Sequence, residues 1–92
     1  MKFIRISAIW CSSCILTYKN WQELQEKHPN YEYIEYDYDD DEEKYQEYNI
    51  GNILPVIIVL KNEKEIKRII GEKSHKEWIR ELESIGVSYE MD

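Results

Sequence analysis

Apolar and polar positions follow a rhythm along this chain, and the rhythm changes several times. The run Phe3-Ile4-Arg5-Ile6-Ser7-Ala8-Ile9 is short and mostly apolar, and predicts a strand. From Ser12 the spacing lengthens, with Cys14, Tyr18, Trp21 and Leu24 recurring at helical intervals. That helix is expected to run from near Ser12 to Lys27, where His28-Pro29-Asn30 stops it, because proline cannot continue the ladder. Between Tyr31 and Tyr38, the residues Ile34, Tyr36 and Tyr38 alternate with Glu35 and Asp37, which is strand periodicity. Asp39 to Asp41 can cap a short helix through Tyr45 and Tyr48, ending near Asn49-Ile50-Gly51.

Pro55-Val56-Ile57-Ile58-Val59-Leu60 does not alternate, so it reads as a strand buried on both faces. Lys61-Asn62-Glu63-Lys64 reads as a turn, and Glu65 to Ile70 as the antiparallel partner, ended by Gly71. Ser74 with Glu77 has capping-box spacing, and Trp78, Ile79, Leu82 and Ile85 form the apolar stripe of a last helix. Val87 to Asp92 reads as a frayed tail. The expected order is βαβαββα, an α/β fold with a four-stranded mixed sheet flanked by three helices. Two strand-helix-strand crossovers are expected to form its parallel portion, and the hairpin to add an antiparallel strand. One helix should lie on one face and two on the other.

The 92 residues suffice for one domain, 1–92, with a single modest core. A net charge of −7 speaks against nucleic acid or an anionic membrane as a partner. The acid gathers at Asp37, Asp39, Asp40, Asp41, Glu42 and Glu43, and reads as a solvated loop and helix start. No apolar stretch approaches the about 20 residues that span a bilayer. The apolar run after Lys2 and Arg5 breaks at Ser12 without a leader cleavage site, so the cytoplasm is the expected compartment. In that reducing setting a cysteine pair points to catalysis more than to a structural staple.

The chemistry centres on Trp10-Cys11-Ser12-Ser13-Cys14, which holds both cysteines of the chain at the strand-to-helix junction. Two intervening residues wound into a first helical turn bring the sulfurs close enough to form or open a disulfide. Cys11 then sits at the helix N-terminus, where backbone N–H groups stabilise a thiolate and can bring a thiol from about 8.5 down to roughly 3.5–7.5. Cys14, a turn further in, should be less exposed. Cys11 is therefore the expected nucleophile and Cys14 the resolving thiol. Zinc would need further thiolate or imidazole ligands, and His28 and His75 lie in separate predicted elements without paired spacing, so no metal site is expected.

Taken together, these features resemble the thioredoxin family over nearly the whole chain. The features are the junction Trp10-Cys11-Ser12-Ser13-Cys14, the strand end Tyr36-Asp37-Tyr38-Asp39, Tyr48-Asn49-Ile50 before Leu54-Pro55, the apolar strand from Val56, the turn around Asn62, and Ile70-Gly71 before the last helix. The resemblance implies a cis Leu54-Pro55 bond against the cysteine pair. It implies that the Leu54 backbone pairs with a substrate strand, that Trp10 packs beside the sulfurs, and that Gly71 lets the substrate chain approach. Gly71 as a simple turn glycine is an equal alternative. Ser12 and Ser13 stand where such proteins have Gly-Pro, Arg5 where they bury an Asp six residues before the first cysteine, and Val56 where Thr is usual. With Arg5 in place, another group or water relays the Cys14 proton, or Cys14 is activated more slowly. The segment Ile50 to Pro55 is one residue longer than common, so Gly51, Asn52 and Ile53 can shape the rim differently.

The function implied is a monomeric thiol-disulfide oxidoreductase with no bound cofactor, reducing protein disulfides and recharged by a thioredoxin-reductase-like flavoprotein that draws on NADPH. A glutathione-coupled glutaredoxin is the nearest alternative, and the chain's acidity and its lone Gly71 after the third and fourth strands weigh against it. An alternative of another class is a binding module in which Cys11 and Cys14 hold a soft metal ion such as Cu(I), or an adaptor without turnover.

Overall fold

In a computed structural model that describes residues 1–88, the first apolar run forms β1 (Lys2–Ser7). Ala8 and Ile9, expected to extend this strand, turn away into the loop before Cys11. The expected single helix is two: α1 (Ser12–Leu16) and α2 (Tyr18–Lys27), parted at Thr17. At the break Thr17 Oγ1 donates to the Ser13 carbonyl at 2.7 Å, sharing it with the Thr17 N–H at 3.1 Å, a local bond of the kind that bends helices. The break shifts the register: Trp21 and Leu24 enter the core as expected, whereas Tyr18 is exposed and Asn20 is buried.

β2 (Glu32–Asp37) pairs parallel with β1, and a short α3 (Glu42–Tyr45) runs into a 3-10 turn at Gln46–Tyr48. Asn49, at φ 53, ends that turn in the left-handed conformation that asparagine tolerates. β3 (Val56–Lys61) and β4 (Lys64–Ile70) form the expected hairpin, and both turn residues, Asn62 and Glu63, have positive φ, as a type I′ turn requires. α4 (His75–Glu83) begins at Ser74 with both capping-box bonds made. It closes in a Schellman turn: Gly86 N–H donates to the Glu83 carbonyl and Val87 N–H to that of Leu82. Val87 is consequently not tail but core, fully buried. The rest of the expected tail, 89–92, lies outside the described residues.

The sheet order is β2-β1-β3-β4, with β3 antiparallel to β1. The second expected parallel crossover is therefore absent. The chain thus re-enters the sheet at the end where β2 left it. This reversal organises the molecule, because it sets the start of β3 beside the end of β1, with Val56 opposite Ile6. The end of β4 joins them, Ile70 opposite Val56. Three connections (8–11, 53–55 and 71–74) meet at one end of the sheet.

The two faces carry separate cores. Phe3, Ile57, Val59 and Ile69 pack under α2 and α4 with Trp21, Leu24, Trp78, Leu82 and Val87. Ile4, Ile6, Val56, Ile58 and Leu60 pack with Tyr45 of α3, and this cluster also takes in Cys11, Cys14 and Leu54. The expected distribution of two helices on one face and one on the other is thus the one found. β3 is buried on both faces, as its unbroken apolar run predicts. No helix among the described residues is long and apolar enough to cross a membrane.

Candidate functional site

The site grows from the turn that follows β1. Cys11 N–H closes that turn on the Ala8 carbonyl at 3.2 Å, which leaves Cys11 extended (φ −93, ψ 108) at the N-cap of α1. Its side chain serves as the cap, with Cys11 Sγ accepting from the Cys14 backbone N–H at 3.2 Å. Both cysteines are free thiols, and Cys14 Sγ donates to Cys11 Sγ at 2.6 Å. Two donors converge on one sulfur, an arrangement suited to negative charge there.

Cys11 is 8% exposed and Cys14 3%, so Cys14 is the more hidden, as expected. Its thiol is pushed up to about 11, first by burial, then by its bond to Cys11; the Ala8 backbone and the Arg5 guanidinium pull the other way.

Leu54-Pro55 is cis. Leu54 is buried in the same cluster as the cysteines, and the Pro55 carbonyl accepts from Gly71 N–H at 2.8 Å. Gly71 has φ 84, and a Cβ there would sit 3.3 Å from Ile53 Cγ2, so the turn itself needs glycine. Ser13 Oγ donates to Glu72 Oε1 at 2.9 Å, tying α1 to the chain just beyond Gly71. Ser12 is exposed. Around the pair stands an exposed apolar rim of Ile9, Trp10, Ile15, Leu16 and Ile53.

Trp10 is 60% exposed, and its indole is fixed by Asp39 Oδ2, which accepts from Nε1 at 2.6 Å, and by an edge-on contact with Tyr38. The acidic run is consequently more than a solvated loop. Asp37 Oδ2 accepts from the N–H groups of Asp39 and Asp40, and Asp41 Oδ2 from that of Asp37. The Asp41 carboxyl is held below the usual range by the Asp37 N–H first, then by Lys44. With its carboxylate turned back in this way, Asp41 sits at the N-cap of α3 without a side-chain cap bond.

Sequence reasoning missed the groups around Arg5. This residue is 3% exposed, yet Nη2 donates to the Cys14 carbonyl at 2.7 Å, and Nη1 to Ser7 Oγ at 3.0 Å and to Glu35 Oε2 at 2.9 Å. Its guanidinium also lies over the Tyr18 ring, 5.2 Å from the centroid. A charged residue in an apolar strand must find a partner. The parallel register puts Glu35 directly opposite, a signal available once the strands are paired. Among the described residues no three His, Cys, Asp or Glu side chains gather as a metal site, and the two thiols are the soft donors on offer.

A family model described as thioredoxin matches residues 2–84. Thioredoxin H5 of Oryza sativa subsp. japonica is 31% identical over 68 residues, covering 74% of this chain and 50% of that protein. Thioredoxin H-type of Fagopyrum esculentum is 30% identical over 70 residues, covering 76% of this chain and 60% of that protein. The chain thus spans half to three-fifths of the length of these curated relatives. Thioredoxin 1 of Thermosipho africanus superposes with a TM-score of 0.78 at 22% identity, covering 92% of this chain and 93% of that one, a likeness of fold. Fasciola hepatica thioredoxin superposes with a TM-score of 0.73 at 25% identity, covering 82% of this chain and 71% of that one.

Proposed function

The chain belongs to the thioredoxin family, and from that premise we propose that its cysteine pair reduces protein disulfides. The observation that carries this reading is the Cys14 thiol donating to the Cys11 sulfur at 2.6 Å, in one cluster with Leu54 and beside the cis-proline turn. Cys11 attacks a sulfur of the substrate disulfide, forming a mixed disulfide and releasing one substrate thiolate. Cys14 then attacks Cys11, closing the Cys11–Cys14 disulfide and releasing the second thiolate. The pair is oxidised by two electrons, and the substrate takes up those electrons and two protons.

In this reading the Leu54 backbone receives an extended substrate segment, and Trp10, Ser12, Ser13 and the Gly71 turn form the rim it crosses. The chain acts as a monomer without a bound cofactor, in the cytoplasm, and a flavoprotein reductase returns the electrons. The decisive experiment couples the purified chain to a model protein disulfide and follows multiple turnovers. Turnover that disappears on alkylating the thiols supports the reading. Absence of turnover, or turnover with glutathione disulfide alone, overturns it.

A further inference from the structure

We propose that Arg5 is a positioning residue for the resolving step: held on the Cys14 carbonyl, its buried guanidinium fixes the turn that carries Cys14 and stabilises the anion that Cys14 must become. The inference deepens the reading of the cysteine pair as a disulfide reductase and rests on it. Arg5 carries its positive charge on a planar guanidinium with five N–H donors, and is 3% exposed. Its position is over-determined by the Cys14 carbonyl at 2.7 Å, Ser7 Oγ at 3.0 Å, Glu35 Oε2 at 2.9 Å and the face of Tyr18. Its charge pulls the Cys14 thiol down, the least of the influences on that thiol while Cys11 is free.

The charged and titratable groups facing Cys14 divide by element. β1 supplies Arg5, the N-cap of α1 supplies Cys11, and α2 supplies Tyr18. β2 supplies Glu35, which answers Arg5 directly, and Asp37, on the wall of an open groove of about 250 Å³ that reaches Cys14. Two of the causes that hold the proton on Cys14 are its bond to Cys11 and the charge of Cys11. Both vanish when Cys11 enters a mixed disulfide, while Arg5 stays. Attack by Cys11 therefore primes Cys14 to lose its proton, which leaves through the groove to solvent. The Cys14 thiolate then forms the bond to Cys11 Sγ, and the substrate thiolate leaves.

The test uses Cys11→Ala, which imitates the state in which Cys11 no longer holds the Cys14 proton. The rate at which iodoacetamide alkylates Cys14 at pH 8 is measured, normalised to the unfolded chain. Arg5→Met should slow it about tenfold, the size expected when a neighbouring opposite charge is removed. Arg5→Lys should recover part of the loss, and Glu35→Gln should speed alkylation. These opposite directions separate charge from simple loosening, which would speed all three. If Arg5→Met does not fold, Arg5→Lys decides: a rate below that of the Arg5 protein supports the proposal, and an equal or faster one overturns it. An unchanged or slower rate in Glu35→Gln, or an unchanged or faster rate in Arg5→Met, overturns the proposal. The readout needs no disulfide substrate, so a failed turnover assay counts against the proposed function, and a failed alkylation series counts against this inference alone.

Discussion

Trp10 Nε1 donates to Asp39 Oδ2 at 2.6 Å, joining the residue before Cys11 to the loop that follows β2. The contact is exposed, so it does little for folding and serves to hold the indole in one orientation beside the cysteine turn. Asp39→Ala should change stability by less than about 0.5 kcal/mol. It should lower kcat/KM for a protein disulfide about two- to fivefold, the kinetic equivalent of one modest hydrogen bond. Urea unfolding and steady-state kinetics on the same preparations check both halves; a large stability loss would mean the loop, not the indole, depends on this bond.

The arrangement of the two thiols assigns them unequal tasks. Cys11→Ser should reduce turnover with protein disulfides by roughly a thousandfold or more, as loss of a nucleophile does. Cys14→Ser should instead accumulate mixed disulfides, seen by mass spectrometry as adducts that a small thiol releases. Full multiple turnover in Cys14→Ser would refute the two-cysteine route. A reduction potential for the wild-type pair near about −270 mV would agree with a reductase, and one nearer about −120 mV with an oxidant.

Gly71 and Ile53 are locked together. At φ 84 the glycine occupies a conformation that costs other residues about 1–2 kcal/mol, and an added Cβ would press on Ile53 Cγ2 at 3.3 Å. Gly71→Ala should therefore lower unfolding free energy by about 1–2 kcal/mol. Gly51, whose Cβ would meet nothing within 4 Å, is the control: Gly51→Ala should leave stability unchanged or slightly raised. Adding Ile53→Ala to Gly71→Ala should relieve the contact but not the backbone cost.

What could be read in advance was what depends on neighbours a few residues apart. The buried run at Val56 to Leu60, the hairpin turn at Asn62-Glu63 and the Ser74 cap with Glu77 are of this kind. The cis Leu54-Pro55 bond came from the family resemblance, since spacing alone carries little information on it. The direction of β3 was not legible, because the connection from residue 38 to 55 is long enough to return to either end of the sheet. Val87 looked like tail, because one apolar residue after a glycine carries no period, yet the Schellman turn at Gly86 returns it to the core. The partners of Arg5 were hidden because they depend on side-chain bonds that exist only once the strands have paired, whereas the break at Thr17 goes with a local hydroxyl bond that the helical spacing masked.

The alkaline limit of stability follows from buried protons, of which those of Cys14 and Tyr33 are raised furthest. The Cys14 thiol is raised from 9.0 to about 11, by burial first. The Tyr33 hydroxyl is raised from 10.0 to about 12, also by burial first, and it donates to the His28 carbonyl at 2.6 Å. In both cases the folded chain holds its proton to higher pH than the unfolded chain does. Their contribution is therefore fully present below the unfolded values and is lost as pH rises through the folded ones. The urea midpoint of the reduced protein should hold up to about pH 9 and then fall, through about 11 for Cys14 and about 12 for Tyr33. Oxidation to the disulfide removes the Cys14 thiol and should leave only the later part of the fall. Tyr33→Phe should lessen that later part, to which Tyr45 and Tyr48, also raised by burial, contribute, while lowering the midpoint at every pH, since it also loses the bond to His28. A midpoint that stays flat from pH 9 to 12 in the reduced protein would show that neither proton is held by the fold.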